Sequence, residues 1–131
     1  RMPEVKITLK ASYLMCENEP RFVLHGTEGS YVKYGLDPQE ADLTKGMLPD
    51  TPHWGEEDES QWGILHTETD GNVVRKPYPT LPGNYAAFYE NIYQHIRNGA
   101  VLQSDACGVL GVIRLIEAAW ESSRTGNVIK L

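Results

Sequence analysis

Tyr78-Pro79-Thr80-Leu81-Pro82-Gly83-Asn84-Tyr85 is where this chain changes character. Prolines fix φ and restrict the residues before them, so Pro77 to Pro82 reads as a stiff connector leading from a sheet layer to a helix layer. Downstream, Tyr85, Phe88, Tyr89, Ile92 and Ile96 fall at helical spacing on one apolar stripe, and Asn98-Gly99 ends that helix. A second stripe follows, made of Val109, Val112, Ile113, Ile116, Ala119 and Trp120. Arg114, Glu117, Glu121 and Arg124 lie away from it. Ser104 or Asp105 caps the start of this second helix and Gly126 closes it. Asn127 to Leu131 offers a short final strand.

Upstream of the connector the pattern is that of strands. Val5, Ile7, Leu9 and Ala11 alternate with Lys6, Thr8, Lys10 and Ser12, which predicts a half-buried antiparallel strand. Phe22-Val23-Leu24 and Ser30 to Tyr34 predict a pair of strands joined at Gly26-Thr27-Glu28-Gly29, whose glycines are expected to supply positive φ. Trp62 to Thr69 and Asn72 to Arg75 flank Asp70-Gly71, a strong hairpin signal. Between these pairs, Asp37-Pro38 starts a short helix that Gly46 ends. Met47 to Gln61 carries two prolines and the acidic run Glu56-Glu57-Asp58-Glu59, and reads as a solvated excursion. Strands first and helices later predict an α+β domain: a mainly antiparallel open sheet with two long helices packed on one face. The opposite face, expected to carry Tyr13, Tyr31, Trp62 and His66, is then a surface for self-association.

Composition limits what such a domain does. The chain has 131 residues, 40% of them apolar, enough for one core and one domain over 1–131. A net charge of −6 with scattered Lys and Arg gives no electrostatic footprint for nucleic acid. No apolar run approaches the roughly 18 residues of a membrane span, and no secretory pattern opens the chain, so a cytoplasmic protein is expected. Cys16 and Cys107 read as free thiols. The chain opens on Arg1, and Glu4 to Ala11 already reads as strand, so it is expected to continue a longer protein.

Three segments carry a family resemblance. They are Phe22-Val23-Leu24-His25-Gly26-Thr27-Glu28-Gly29-Ser30, then Tyr85-Ala86-Ala87-Phe88-Tyr89-Glu90, and Val112 to Ala119 running into Ser122-Ser123-Arg124-Thr125-Gly126. Their order resembles the C-terminal domain of the Gfo/Idh/MocA oxidoreductases, across nearly the whole chain. The resemblance implies a parent with an N-terminal dinucleotide-binding domain, NAD or NADP as cofactor, and a sugar, cyclitol or similar secondary alcohol or ketone as substrate. It also implies a substrate-binding and dimerisation role for this domain, with the chain pairing with itself as a homodimer through the open sheet face. The family's Glu-Lys-Pro motif and its Asp-x-x-x-His motif do not occur here, so no catalytic residue is assigned.

The site chemistry readable from the residues is correspondingly narrow. A dinucleotide site needs glycines between a strand and a helix N-terminus. Neither Gly26 with Gly29 nor Gly108 with Gly111 has that setting, so no cofactor-binding residue is assigned and the chain alone is expected to be catalytically silent. His25, His53, His66 and His95 share no ligand spacing, and no metal is expected. The candidates for a substrate cleft are His53, Trp54, Trp62, His66, Tyr78 and Tyr85, because aromatic rings beside polar groups suit a polyol or sugar ring. The alternative is a non-catalytic assembly or small-ligand-binding module without a nucleotide domain.

Overall fold

The structure is a computed structural model that describes residues 5–131. The chain divides into two compact units, Arg1–Gly83 and Asn84–Leu131. The first holds a four-stranded antiparallel sheet in the order β1-β2-β3-β4, with β1 at Phe22–His25, β2 at Gly29–Lys33, β3 at Gly63–Thr69 and β4 at Asn72–Tyr78. It also holds a short helix, α1, at Pro38–Thr44. The second unit holds two longer helices, α2 at Ala86–Asn98 and α3 at Ala106–Thr125. The antiparallel open sheet and helices make this an α+β chain, as the order of patterns predicts.

Local chemistry sets most of the boundaries. Asp70 and Gly71 both take positive φ, 51° and 76°, which matches the turn to the right-handed twist of β3 and β4. Asp37 accepts the backbone N–H of Gln39 at 2.9 Å, and Pro38 fills the first helical position of α1. Asp105 accepts the N–H of Gly108 at 2.8 Å, while Gly99 and Gly126 close α2 and α3 in the left-handed conformation. Asn84 reaches forward to the N–H of Ala87 at 3.1 Å and so caps the start of α2.

Several expectations are corrected. Val5 to Ala11 forms no strand: these residues are exposed coil, and the described sheet begins at Phe22. Alternation gives a segment two faces but not a ladder partner, and no described strand supplies one. Glu4, the first residue of that expected strand, lies outside the described residues. Asn127 to Leu131 is likewise not a strand. Gly26 and Gly29 do not take positive φ. Gly29 is needed for proximity instead, since a Cβ there would stand 2.8 Å from the His66 carbonyl oxygen and 3.1 Å from the Thr67 Cβ. The connector starts later than expected, because β4 continues through Pro77, which pairs with Ile64 on an outer strand.

Register also divides the expected association surface. Tyr31 pairs with Leu65, and His66 is the next residue along β3, so Tyr31 and His66 stand on opposite faces. One face carries Phe22, Leu24, Tyr31, Lys33, Leu65 and Tyr78. The other carries Val23, His25, Ser30, Val32, Ile64, His66, Glu68, Arg75 and Pro77. Tyr13 lies in exposed coil before the sheet.

Candidate functional site

On the Tyr31 face, Gly63 lets the ring of Tyr31 lie across β3, because a Cβ at that position would collide with the ring. Gly63 pairs with Tyr78, the last residue of β4. The chain then leaves the sheet through Pro79, Thr80 and Leu81. The result is a hollow of about 410 Å³ lined by Tyr31, Leu65, Tyr78, Pro79, Thr80 and Leu81. Its walls are almost wholly apolar. Thr80 contributes the polar exception, a buried Oγ1 with no hydrogen-bond partner. Two tyrosine rings and aliphatic carbons suit a compact ligand with C–H faces.

The Pro79 to Leu81 wall is held at both ends. One end is the β3–β4 ladder at Tyr78. The other is a hydrogen bond from the Gly83 N–H to the Gly55 carbonyl, 3.0 Å long. Gly55 belongs to the segment read as a solvated excursion, a reading that holds for Glu56, Asp58 and Glu59, which are exposed, but not for Gly55 and Glu57. Glu57, from the acidic run, is buried against Lys33 with Nζ–Oε1 at 2.8 Å and side-chain exposures of 5% and 9%. Lys33 spends its other two protons on the carbonyls of Tyr34, at 3.0 Å, and Gln61, at 2.7 Å. Asp58 caps the turn Glu59–Gln61 that presents the Gln61 carbonyl. Hydrogen bonds from the Ser60 hydroxyl and then its N–H hold the Asp58 carboxyl below the ordinary carboxylate range.

A second polar cluster stands beside this one. Gln39 is fully buried, its amide nitrogen donating to both Asp37 oxygens at 3.0 and 3.1 Å and its carbonyl accepting from Trp54 Nε1 at 2.8 Å. Gly83 must lack a Cβ to pass these same side chains, since one would collide with Asp37 and Gln39. The excursion is thus pinned to β2, to α1 and to the connector.

Of the six cleft candidates, Tyr78 lines the hollow. Trp54 and Trp62 serve the polar clusters, Trp62 donating its Nε1–H to the Glu57 carbonyl at 3.3 Å. His53 stands in solvent, 82% exposed at its side chain, in left-handed backbone with φ 62° and paired with Glu56 at 2.9 Å. His66 lies on the face of the sheet away from the hollow. Tyr85 belongs to the second unit, directly before α2. Tyr31, Leu65 and Thr80 are the lining residues that pattern reading missed. Only the register of β2 on β3 could have found the first two.

The described residues do not fit a dinucleotide. Gly26 and Gly29 sit in a hairpin, and Gly108 and Gly111 lie inside α3. The start of α3 is already occupied by the Asp105 carboxylate, whose charge repels a pyrophosphate. No described group of three or more His, Cys, Asp or Glu side chains could hold a metal ion. No helix among the described residues is long and apolar enough to cross a membrane.

The described residues thus combine an antiparallel sheet with a hollow of ligand size on one of its faces. Residues 1–131 match the family model described as oxidoreductase family, C-terminal alpha/beta domain, and the chain belongs to the Gfo/Idh/MocA oxidoreductase family. It is 38% identical over 114 residues to the scyllo-inositol 2-dehydrogenase (NADP(+)) IolW of Bacillus subtilis (strain 168), covering 87% of this chain and 32% of that protein. Among solved structures, a protein from Bacteroides fragilis NCTC 9343 superposes with a TM-score of 0.84 at 54% identity, covering 92% of this chain and 36% of that one. An oxidoreductase from Bacillus cereus superposes at 0.72 with 33% identity, covering 82% and 32%. The chain therefore spans about a third of the length of these relatives.

Proposed function

We propose that this domain supplies one wall of the substrate cleft, and a self-association surface, for an NAD(P)-dependent oxidoreductase acting on a sugar, cyclitol or related secondary alcohol or ketone. The observation that carries the reading is the hollow between Tyr31, Tyr78 and Thr80. Aromatic rings stack on the C–H faces of a saturated ring. The resemblance to a scyllo-inositol dehydrogenase points to the same class of substrate. Hydride transfer and cofactor binding are left to the remainder of the longer protein.

In that longer protein, Tyr78→Ala is expected to raise KM for a cyclitol by on the order of tenfold while leaving kcat nearly unchanged, the mark of lost uniform binding. An unaltered KM would remove Tyr78 from the cleft. Self-association is assigned to the β1 side of the same face, where Phe22 and Leu24 are 55% and 61% exposed. Size-exclusion chromatography with light scattering should give a dimer that Leu24→Glu converts to monomer, and a concentrated wild-type sample that stays monomeric would refute this surface. The proposed compartment is the cytoplasm, and recovery of the protein with membranes or outside the cell would contradict it.

A further inference from the structure

The face away from the hollow carries a row of side chains that the substrate role does not use. His25 of β1 pairs with Ser30 of β2, Ser30 with His66 of β3, and His66 with Arg75 of β4. Four successive cross-strand partners thus point the same way, with neighbouring strands about 4.8 Å apart. Ser30 Oγ is fixed by His25 Nδ1 at 2.9 Å. By contrast, the side chains of His66 and Arg75 have no hydrogen-bond or ion-pair partner among the described residues, and both are exposed. Glu68 is the one carboxylate on this face of the four strands. In a chain of net charge −6, a local row of donors with an uncommitted guanidinium is an exception to the general balance.

We propose that this row is a binding site for a tetrahedral oxyanion, a phosphate or the phosphoryl group of a small metabolite. Ser30 and Arg75 flank His66 at one strand spacing on each side, so an anion seated over the His66 ring lies roughly 5 Å from either flanking Cα column. That span is within reach of a hydroxyl on one side and the forked guanidinium on the other. When the proton of His25 is on Nδ1, the ring donates to Ser30 Oγ and leaves the hydroxyl proton free to donate to the anion. The adjoining row, Val23, Val32, Ile64 and Pro77, is apolar and would meet the carbon skeleton of such a ligand. The site is independent of the hollow, which lies on the other face.

The test is titration of the 131-residue chain with inorganic phosphate, followed by amide and imidazole NMR resonances. Parallel titrations with acetate and chloride at matched ionic strength separate a phosphate site from a general carboxylate site and from screening. Saturable shifts confined to residues near His25, Ser30, His66 and Arg75, with phosphate the strongest of the three anions, are the expected result. Arg75→Gln should weaken phosphate binding by on the order of tenfold, and Lys76→Gln, on the opposite face, should not. Equal responses to all three anions, tighter binding of acetate, or loss of binding in Lys76→Gln alone would overturn the proposal. A folded Arg75→Gln chain that binds phosphate as the wild type does would also overturn it.

Discussion

Glu57→Ala is expected to destabilise the first unit by about 3–5 kcal/mol, because it leaves the Lys33 ammonium buried without its counter-charge. The loss is large since both side chains are nearly sealed from water and the pair is direct, 2.8 Å between Nζ and Oε1. Exposed pairs such as Lys45 with Asp42 should behave differently, their removal changing stability by less than about 1 kcal/mol. The double variant Lys33→Met with Glu57→Leu separates charge from packing. Replacing both ions with apolar groups removes the desolvation penalty along with the attraction, so most of the lost stability should return. Urea denaturation of the wild type, the single variant and the double variant measures all three. A single variant within about 0.5 kcal/mol of wild type would show that Glu57 is solvated like the rest of the acidic run.

Gly55→Ala is the second large effect. Gly55 has φ 73°, which costs an L-residue about 1–2 kcal/mol, and its added Cβ would also run into the backbone of Gly83. The combined loss should be about 2–4 kcal/mol, and the Gly83–Gly55 hydrogen bond should go with it. Gly35 provides the control, with φ 78° and nothing within 4 Å of the place where a Cβ would stand. Gly35→Ala should lose only the conformational part, about 1–2 kcal/mol. Because Gly55 anchors the far end of the Pro79 to Leu81 wall, Gly55→Ala should also widen the hollow, and Gly35→Ala should not. Equal costs at the two positions would show that the contact with Gly83 carries no weight.

What was legible in the sequence was decided by neighbours in the chain. The Asp70-Gly71 turn, the Asp37-Pro38 helix start, and Gly99 and Gly126 at the helix ends each depend on the φ or the side-chain oxygen of a single residue, so the antiparallel sheet and helices followed. Val5 to Ala11 had the alternation of a strand but needed a distant ladder. Glu57 looked like one charge in a solvated run because its partner, Lys33, lies 24 residues earlier. The candidate site split along the same line. Tyr78 could be picked out from its place among prolines, whereas Tyr31 and Leu65 join it only through strand register, which also carries His66 to the other face. Trp54 and Trp62 were legible as amphipathic rings, yet their N–H groups are committed to Gln39 and Glu57.

Pro77 gives the two borders of the sheet different fates. A proline on β4 has no N–H to offer an incoming strand, so any segment approaching that border meets a gap in the row of donors. The β1 border, Phe22–His25, is short and apolar and has no such interruption. Accretion of further strands, whether orderly or as aggregate, is therefore one-sided: it starts beside Phe22–His25 and is blocked beside Tyr78, which leaves the mouth of the hollow clear however the sheet is extended.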